Sequence, residues 1–194
     1  TQGSDAGEVK VYSWNGSAWS QLGSTIYGPS AEAGAAVGTS VDINDAGDKI
    51  VFGAYAYDGG STNKGIAWVY SWNGSAWVIQ DNSNSDLIGG SSRDSYGWRV
   101  SFDSDGDRLA ISGYGGSNSP GIVGMYEWDG SSWSIMGSTL TGSASYDRLG
   151  YGISLDADGD QVAVGIRGED GSAGDGSGAV SILSLIHISE PTRQ

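Results

Sequence analysis

A nine-residue segment written three times limits what this chain can fold into. Val11-Tyr-Ser-Trp-Asn-Gly-Ser-Ala-Trp19 returns as Val69-Tyr-Ser-Trp-Asn-Gly-Ser-Ala-Trp77 and as Met125-Tyr-Glu-Trp-Asp-Gly-Ser-Ser-Trp133, with Trp14, Trp72 and Trp128 spaced by 58 and 56 residues. A second element keeps the same phase: Val41-Asp-Ile-Asn-Asp-Ala-Gly-Asp-Lys-Ile50, Val100-Ser-Phe-Asp-Ser-Asp-Gly-Asp-Arg-Leu109 and Ile153-Ser-Leu-Asp-Ala-Asp-Gly-Asp-Gln-Val162. A fixed period of this length marks a repeat architecture, in which each unit buries its apolar surface against its neighbours.

Both elements have the pattern of hairpins. Asn15-Gly16, Asn73-Gly74 and Asp129-Gly130 are dipeptides that accept the positive φ of a two-residue type I′ turn. Counting outward from such a turn sets Trp14 opposite Ser17 and Tyr12 opposite Trp19, with Tyr12, Trp14 and Trp19 on one face of the ribbon. That cluster is either a platform for stacking sugars or the packing surface between sheets, and its recurrence in every copy favours packing. In the second element Val100 and Phe102 precede an acidic turn and Leu109 and Ile111 follow it, matched by Ile153, Leu155, Val162 and Val164. Two half-buried strands are expected there.

Between the hairpins lie Gly/Ser/Asn-rich loops at Tyr57 to Gly65, Tyr114 to Gly121 and Arg167 to Gly178, and no segment keeps a helical period. The expectation is an all-β protein with strands near 8–14, 18–22, 40–44, 49–54, 65–72, 76–80, 99–103, 108–113, 121–128, 132–136, 152–156, 161–166 and 178–182. Four short strands per repeat suit a β-propeller of four-stranded antiparallel blades, with β-prism and solenoid arrangements as alternatives. On this reading residues 1–33 are a partial blade, 34–90 and 91–142 are complete blades, and 143–182 are a second partial blade. The remaining blades of a parent propeller are then the first partners of the chain.

The composition agrees and narrows the function. Thirty-four glycines, eight tryptophans and ten tyrosines against two phenylalanines suit short strands joined by tight turns. A net charge of −14 repels phosphate backbones and anionic lipid, so neither nucleic acid nor membrane insertion is expected. With no cysteine, disulfides, thiolate catalysis and cysteine-bound metals are excluded. The chain starts Thr-Gln-Gly-Ser and is expected to be a piece of a longer exported protein whose signal peptide lies outside it.

The repeat ends at Ile182. Leu183-Ser-Leu-Ile-His-Ile-Ser-Glu-Pro-Thr-Arg193 resembles, residue for residue, the translation of a transposase adapter used in sequencing libraries. Residues 183–194 are therefore expected to be a non-native tail that lies outside the repeat packing or merely extends the last strand. His187, the only histidine, falls within it, which leaves the repeats without histidine chemistry.

The assembled repeat resembles the FG-GAP repeats that build the propeller of integrin α subunits and of many bacterial surface proteins. Its Phe-Gly element corresponds to Val37-Gly38, Tyr96-Gly97 and Leu149-Gly150, and its Gly-Ala-Pro element to Gly53-Ala54-Tyr55, Gly113-Tyr114-Gly115 and Gly165-Ile166-Arg167, without the phenylalanine or the proline. The resemblance implies an extracellular or cell-surface module for binding or adhesion. It also implies candidate calcium turns at Asp103, Asp105 and Asp107 and at Asp156, Asp158 and Asp160, with the first copy reduced to Asn44, Ala46 and Asp48. Each turn lacks the later carboxylate of the family's loop, where calcium takes six to eight oxygens. Calcium binding is accordingly expected to be weak or absent, and no other cofactor is expected.

No catalytic residues are assigned. Aspartates that recur in every repeat fit a scaffold, whereas a catalytic pair is singular. Glu8, Glu32, Glu127 and Glu169 form no cluster in sequence, and Arg167-Gly168-Glu169-Asp170 has Glu where an integrin-binding tripeptide needs Asp. A protein or glycan ligand is expected at the inter-hairpin loops, around Asp58 to Lys64, Gly115 to Ser119 and Glu169 to Asp175. A lectin-like module and the non-catalytic part of a secreted hydrolase are the alternatives.

Overall fold

Alternating apolar residues closed by Asx and glycine turns produce strands throughout. The computed structural model describes residues 5–29, 32–80, 87–116, 118–169 and 176–184, and no helix occurs among them. Strands β1 (Tyr12–Trp14) and β2 (Trp19–Gln21) pair alone. Strands β3 (Val41–Ile43), β4 (Lys49–Ala54), β5 (Ile66–Trp72) and β6 (Trp77–Ile79) form a four-stranded antiparallel meander. Strands β7 (Tyr96–Phe102), β8 (Arg108–Gly113), β9 (Ile122–Trp128) and β10 (Trp133–Ile135) repeat it, with β11 (Leu140–Thr141) added on β9. The last sheet holds β12 (Leu149–Leu155), β13 (Gln161–Ile166) and β14 (Ala179–Ser184) in sequence order.

The thirteen expected strands are present, and four details depart from expectation. First, the hairpin pairs Trp14 with Trp19 and Tyr12 with Gln21, so residues 15–18 form a four-residue loop in place of a two-residue turn. Asn15 Oδ1 accepts the main-chain N–H of Ser17 and of Ala18, each at 2.9 Å. Only Gly16 takes positive φ, where a type I′ turn needs it at both central residues. Asn73 and Asp129 hold the second and third copies in the same way. The register is displaced by two residues, so period-two alternation still leaves Tyr12, Trp14 and Trp19 on one face.

Second, β4 and β8 are buried on both faces, because each lies between two neighbouring sheets. Third, β7 and β12 start three residues before their expected positions, at Tyr96 and Leu149, through bulges that precede Arg99 and Gly152. Only Tyr12–Trp14 of the expected 8–14 strand is regular, with Val9 bridged to Ile26, and β11 had no signal in the repeat. Fourth, β14 continues through Leu183 and Ser184, which pair with Val162 and Gln161. Two residues of the expected foreign tail thus extend the last strand, while Ile186, His187 and Ile188 lie outside the described residues.

The core is a series of sheet-to-sheet interfaces. Ile50, Phe52, Trp68 and Tyr70 cover Val9 and Ile26, and on the other face Val51, Ala67 and Val69 meet Val100, Phe102, Ile111, Tyr126 and Trp133. Ala110, Val123 and Met125 then meet Leu149, Val162, Val164 and Ile166. First strands lie side by side: Val100 N–H donates to Ser40 Oγ, Phe102 N–H to Asp42 Oδ2 and Leu155 N–H to Ser101 Oγ. Sheets come so close at Gly53 that a β-carbon there would sit 1.9 Å from the Gly97 carbonyl oxygen. In register Ser112, not Gly113, occupies the position of Gly53 and Gly165, so the middle Gly-Ala-Pro correspondence moves by one residue.

Candidate functional site

The strands have two chemically different ends. One carries the acidic turns of β3/β4, β7/β8 and β12/β13 together with the Asx-held hairpin loops, since Trp72 N–H donates to Asp48 O and Trp128 N–H to Asp107 O. The other carries the inter-hairpin loops.

At the turn end each first acidic position holds its own backbone. Asp103 Oδ1 accepts Asp107 N–H at 3.0 Å and Arg108 N–H at 3.1 Å, and Asn44 Oδ1 does the same for Asp48 and Lys49. Asp156 accepts from Gln161 N–H. Turns of adjacent sheets are also tied together: Asp45 N–H donates to Ser104 O, Ser104 N–H to Ala157 O, Lys49 Nζ to Asp105 O and Arg108 Nη1 to Asp158 O. A cleft of about 410 Å³ between Asn44, Asp48 and Asp105 is therefore bridged by a lysine. Burial pushes the Asp103 carboxyl above its ordinary range, while the Gln161 N–H draws that of Asp156 down. Asp105 and Asp158 are exposed, Asp107 and Asp160 are exposed beside the carboxyls of Asp103 and Asp156, and no cluster of three or more acidic or histidine side chains placed to hold a metal occurs among the described residues.

The hairpin aromatics have three different fates. Trp133 is fully buried against Phe102 at 6.3 Å, and Trp77 Nε1–H donates to Leu22 O. Trp14 and Trp19 are 54% and 68% exposed. Packing thus accounts for the second and third copies, and the first presents its rings to solvent.

At the loop end the expected contact loops brace the repeats. Thr62 O, Asn63 O and Lys64 O accept from Arg93, Ser95 and Tyr96 N–H, and Asp94 O accepts from Gly115 N–H. Of the 169–175 segment only Glu169 is described, and Ser117 also lies outside the described residues. Inside these loops sits a group that the sequence reading did not single out. Trp98 lies 5.3 Å from Tyr55, 4.5 Å from Tyr114 and 5.8 Å from Tyr151, ring centroid to centroid. The bulges at Gly97 and Gly150 turn Trp98 and Tyr151 toward this end, and Tyr55 and Tyr114 follow directly on β4 and β8. Arg99 stands 4.6 Å over Trp98 and Arg167 stands 4.9 Å over Tyr151. Trp98 Nε1 is buried without a hydrogen-bond partner. Aligning the copies supplies the missed signal: Thr39, Trp98 and Tyr151 all follow a glycine of positive φ, and Tyr55, Tyr114 and Arg167 all follow the second strand.

No family model matches the chain, and no curated protein matches it. Among solved structures it is similar to TolB from Acinetobacter baumannii, at 14% sequence identity and a TM-score of 0.41. The likeness covers 94% of this chain and 42% of that one, so the chain spans about two fifths of the length of its match. A likeness at this level carries no assignment.

Proposed function

We propose that the chain is a section of a β-propeller of the FG-GAP kind, working outside the cell or at its surface as a binding or adhesion module. Its ligand, a protein or a glycan, is met at the loop end, and the section performs no catalysis. Two meanders of four strands, stacked face to face with first strands side by side, support the propeller reading. Val37-Gly38, Tyr96-Gly97 and Leu149-Gly150 sit at equivalent positions with positive glycine φ, which supports the family.

The observation that carries the binding function is the array of Tyr55, Trp98, Tyr114 and Tyr151, drawn from three repeats to one end of the sheets. Half-buried rings with open edges and adjacent polar loops are the makings of a recognition surface. Five of the carboxylates, in contrast, are spent on architecture: Asp42, Asp94, Asp103, Asp129 and Asp147 each accept main-chain N–H groups. A general acid or base has to be free to reach substrate. Calcium has no part in this reading, because Asp103 already serves its turn as an acceptor.

Arrays of glycans and extracellular proteins test the proposal against the purified chain. Binding that falls with Tyr114→Ala and survives Asp105→Asn is the expected result, and the reverse pattern moves the site to the turn end. A parallel screen of polysaccharide and ester substrates checks the second half. Turnover abolished by a single Asp→Asn change would establish a catalytic site.

A further inference from the structure

We infer that the ligand of the loop end is a carboxylate-bearing saccharide, held by Arg99 and Arg167 above the rings of Trp98 and Tyr151. The inference rests on the loop-end reading above and assigns its chemistry. In a chain of net charge −14, two guanidiniums stand on rings whose centroids are 5.8 Å apart. Among the described residues neither is within ion-pairing distance of a carboxylate, whereas Lys10 pairs with Glu8 and Arg108 with Glu127. Arg99 donates once, from Nη1 to Trp98 O at 2.8 Å, and a guanidinium has five N–H donors in a planar fork. The fork matches a carboxylate in two parallel hydrogen bonds, and stacking on a ring holds it in place beforehand.

Two loop-end carboxylates are held by their own turns instead. Asp94 accepts Ser91 N–H, and Asp147 accepts Ser143 Oγ–H and Ala144 N–H. Aromatic rings add a surface for the C–H face of a sugar, and Tyr55 and Tyr114 continue it beyond Trp98. An acidic protein would be repelled over its whole surface by this chain, while a short saccharide carries few carboxylates beyond those the two arginines meet.

Calorimetry with oligogalacturonate, with a neutral oligogalactoside of equal length and with an acidic peptide tests the assignment. The expected result is binding of oligogalacturonate that weakens about tenfold or more in Arg167→Ala and in Arg99→Ala, and weakens with added salt. Arg167→Lys keeps the charge and loses the fork, so it recovers only part of the affinity. Thermal melts of each variant confirm folding, and Arg167, being exposed, is the variant least able to disturb it. Equal binding of the neutral oligomer, or arginine variants that bind like the wild type, overturns the inference. Binding of the peptide alone, still sensitive to Arg167→Ala, overturns the saccharide while leaving the loop end as the binding surface. No binding by any of the three probes overturns the inference as well.

Discussion

The two ends of the same strands spend their polar groups in opposite ways. At the turn end Asn15, Asn44, Asn73, Asp103, Asp129 and Asp156 fold their oxygens back onto their own turns, and Lys49 and Arg108 reach across to the carbonyls of the next turn. At the loop end the repeats are tied mostly by main-chain bonds, with Asp58 N–H to Glu32 and Ser112 Oγ–H to Gly150 O beside them, which leaves Arg99 and Arg167 on aromatic rings without carboxylate partners among the described residues. Richness in charge therefore does not mark the site. The first acidic positions of the turn end are occupied by their own architecture, and the loop end, where Arg99 and Arg167 lie, retains unspent donors.

The contrast is broken most severely at the bulge that creates the loop end. Gly97 has φ +82°, and a β-carbon there would lie 2.3 Å from Ile66 O. Gly97→Ala is expected to cost about 3 to 5 kcal/mol, combining strain with a backbone clash, measured by urea unfolding. A loss below about 1 kcal/mol would mean that the bulge yields freely, and the loop-end geometry could not then be specific.

Trp98→Ala comes next. Removing a half-buried ring that touches Tyr55, Tyr114 and Tyr151 is expected to cost about 2 to 3 kcal/mol and to abolish loop-end binding. Unchanged binding in a folded variant would separate the ring array from recognition.

At the turn end, Asp103→Ala leaves the N–H groups of Asp107 and Arg108 without their acceptor and should cost about 1 to 3 kcal/mol. Asp103→Asn should lie within about 0.5 kcal/mol of the wild type, because Asn44 performs the same task in the first copy. Should the Asn variant prove as damaging as the Ala variant, with calcium restoring the wild type alone, the turn would be a metal site after all.

The smallest effect is a titration. Ser131 and Ser132 donors pull the Asp129 carboxyl down to about 2, with the Ser132 N–H contributing most. A depressed folded value means that its contribution is present above the unfolded value of 3.8 and is lost as pH falls toward 2. Asp103 has the opposite sign: burial raises its folded value, so its contribution is greatest at low pH and is lost as pH rises through that value. Carboxyl NMR should place the Asp129 midpoint near 2 and that of Asp103 above 3.8. Asp129→Asn should remove this acid dependence from the third hairpin, as Asn15 and Asn73 already do in the others.

The period, the approximate strand positions and the common face of the hairpin aromatics were determined by the sequence alone, because alternation and turn chemistry act over a few residues. Even the mistaken two-residue turn left Tyr12, Trp14 and Trp19 on their correct face, since the register moved by an even number. What lies against that face was decided by tertiary structure. Trp19 and Trp133 end the same nine-residue motif, yet one is 68% exposed and the other 0%, according to which sheet stands in front of it. The ring array at Trp98 was hidden for the same reason: Tyr55, Trp98 and Tyr151 are 43 and 53 residues apart in sequence. Their meeting depends on two glycine bulges and on the stacking of three sheets, which local periodicity does not encode.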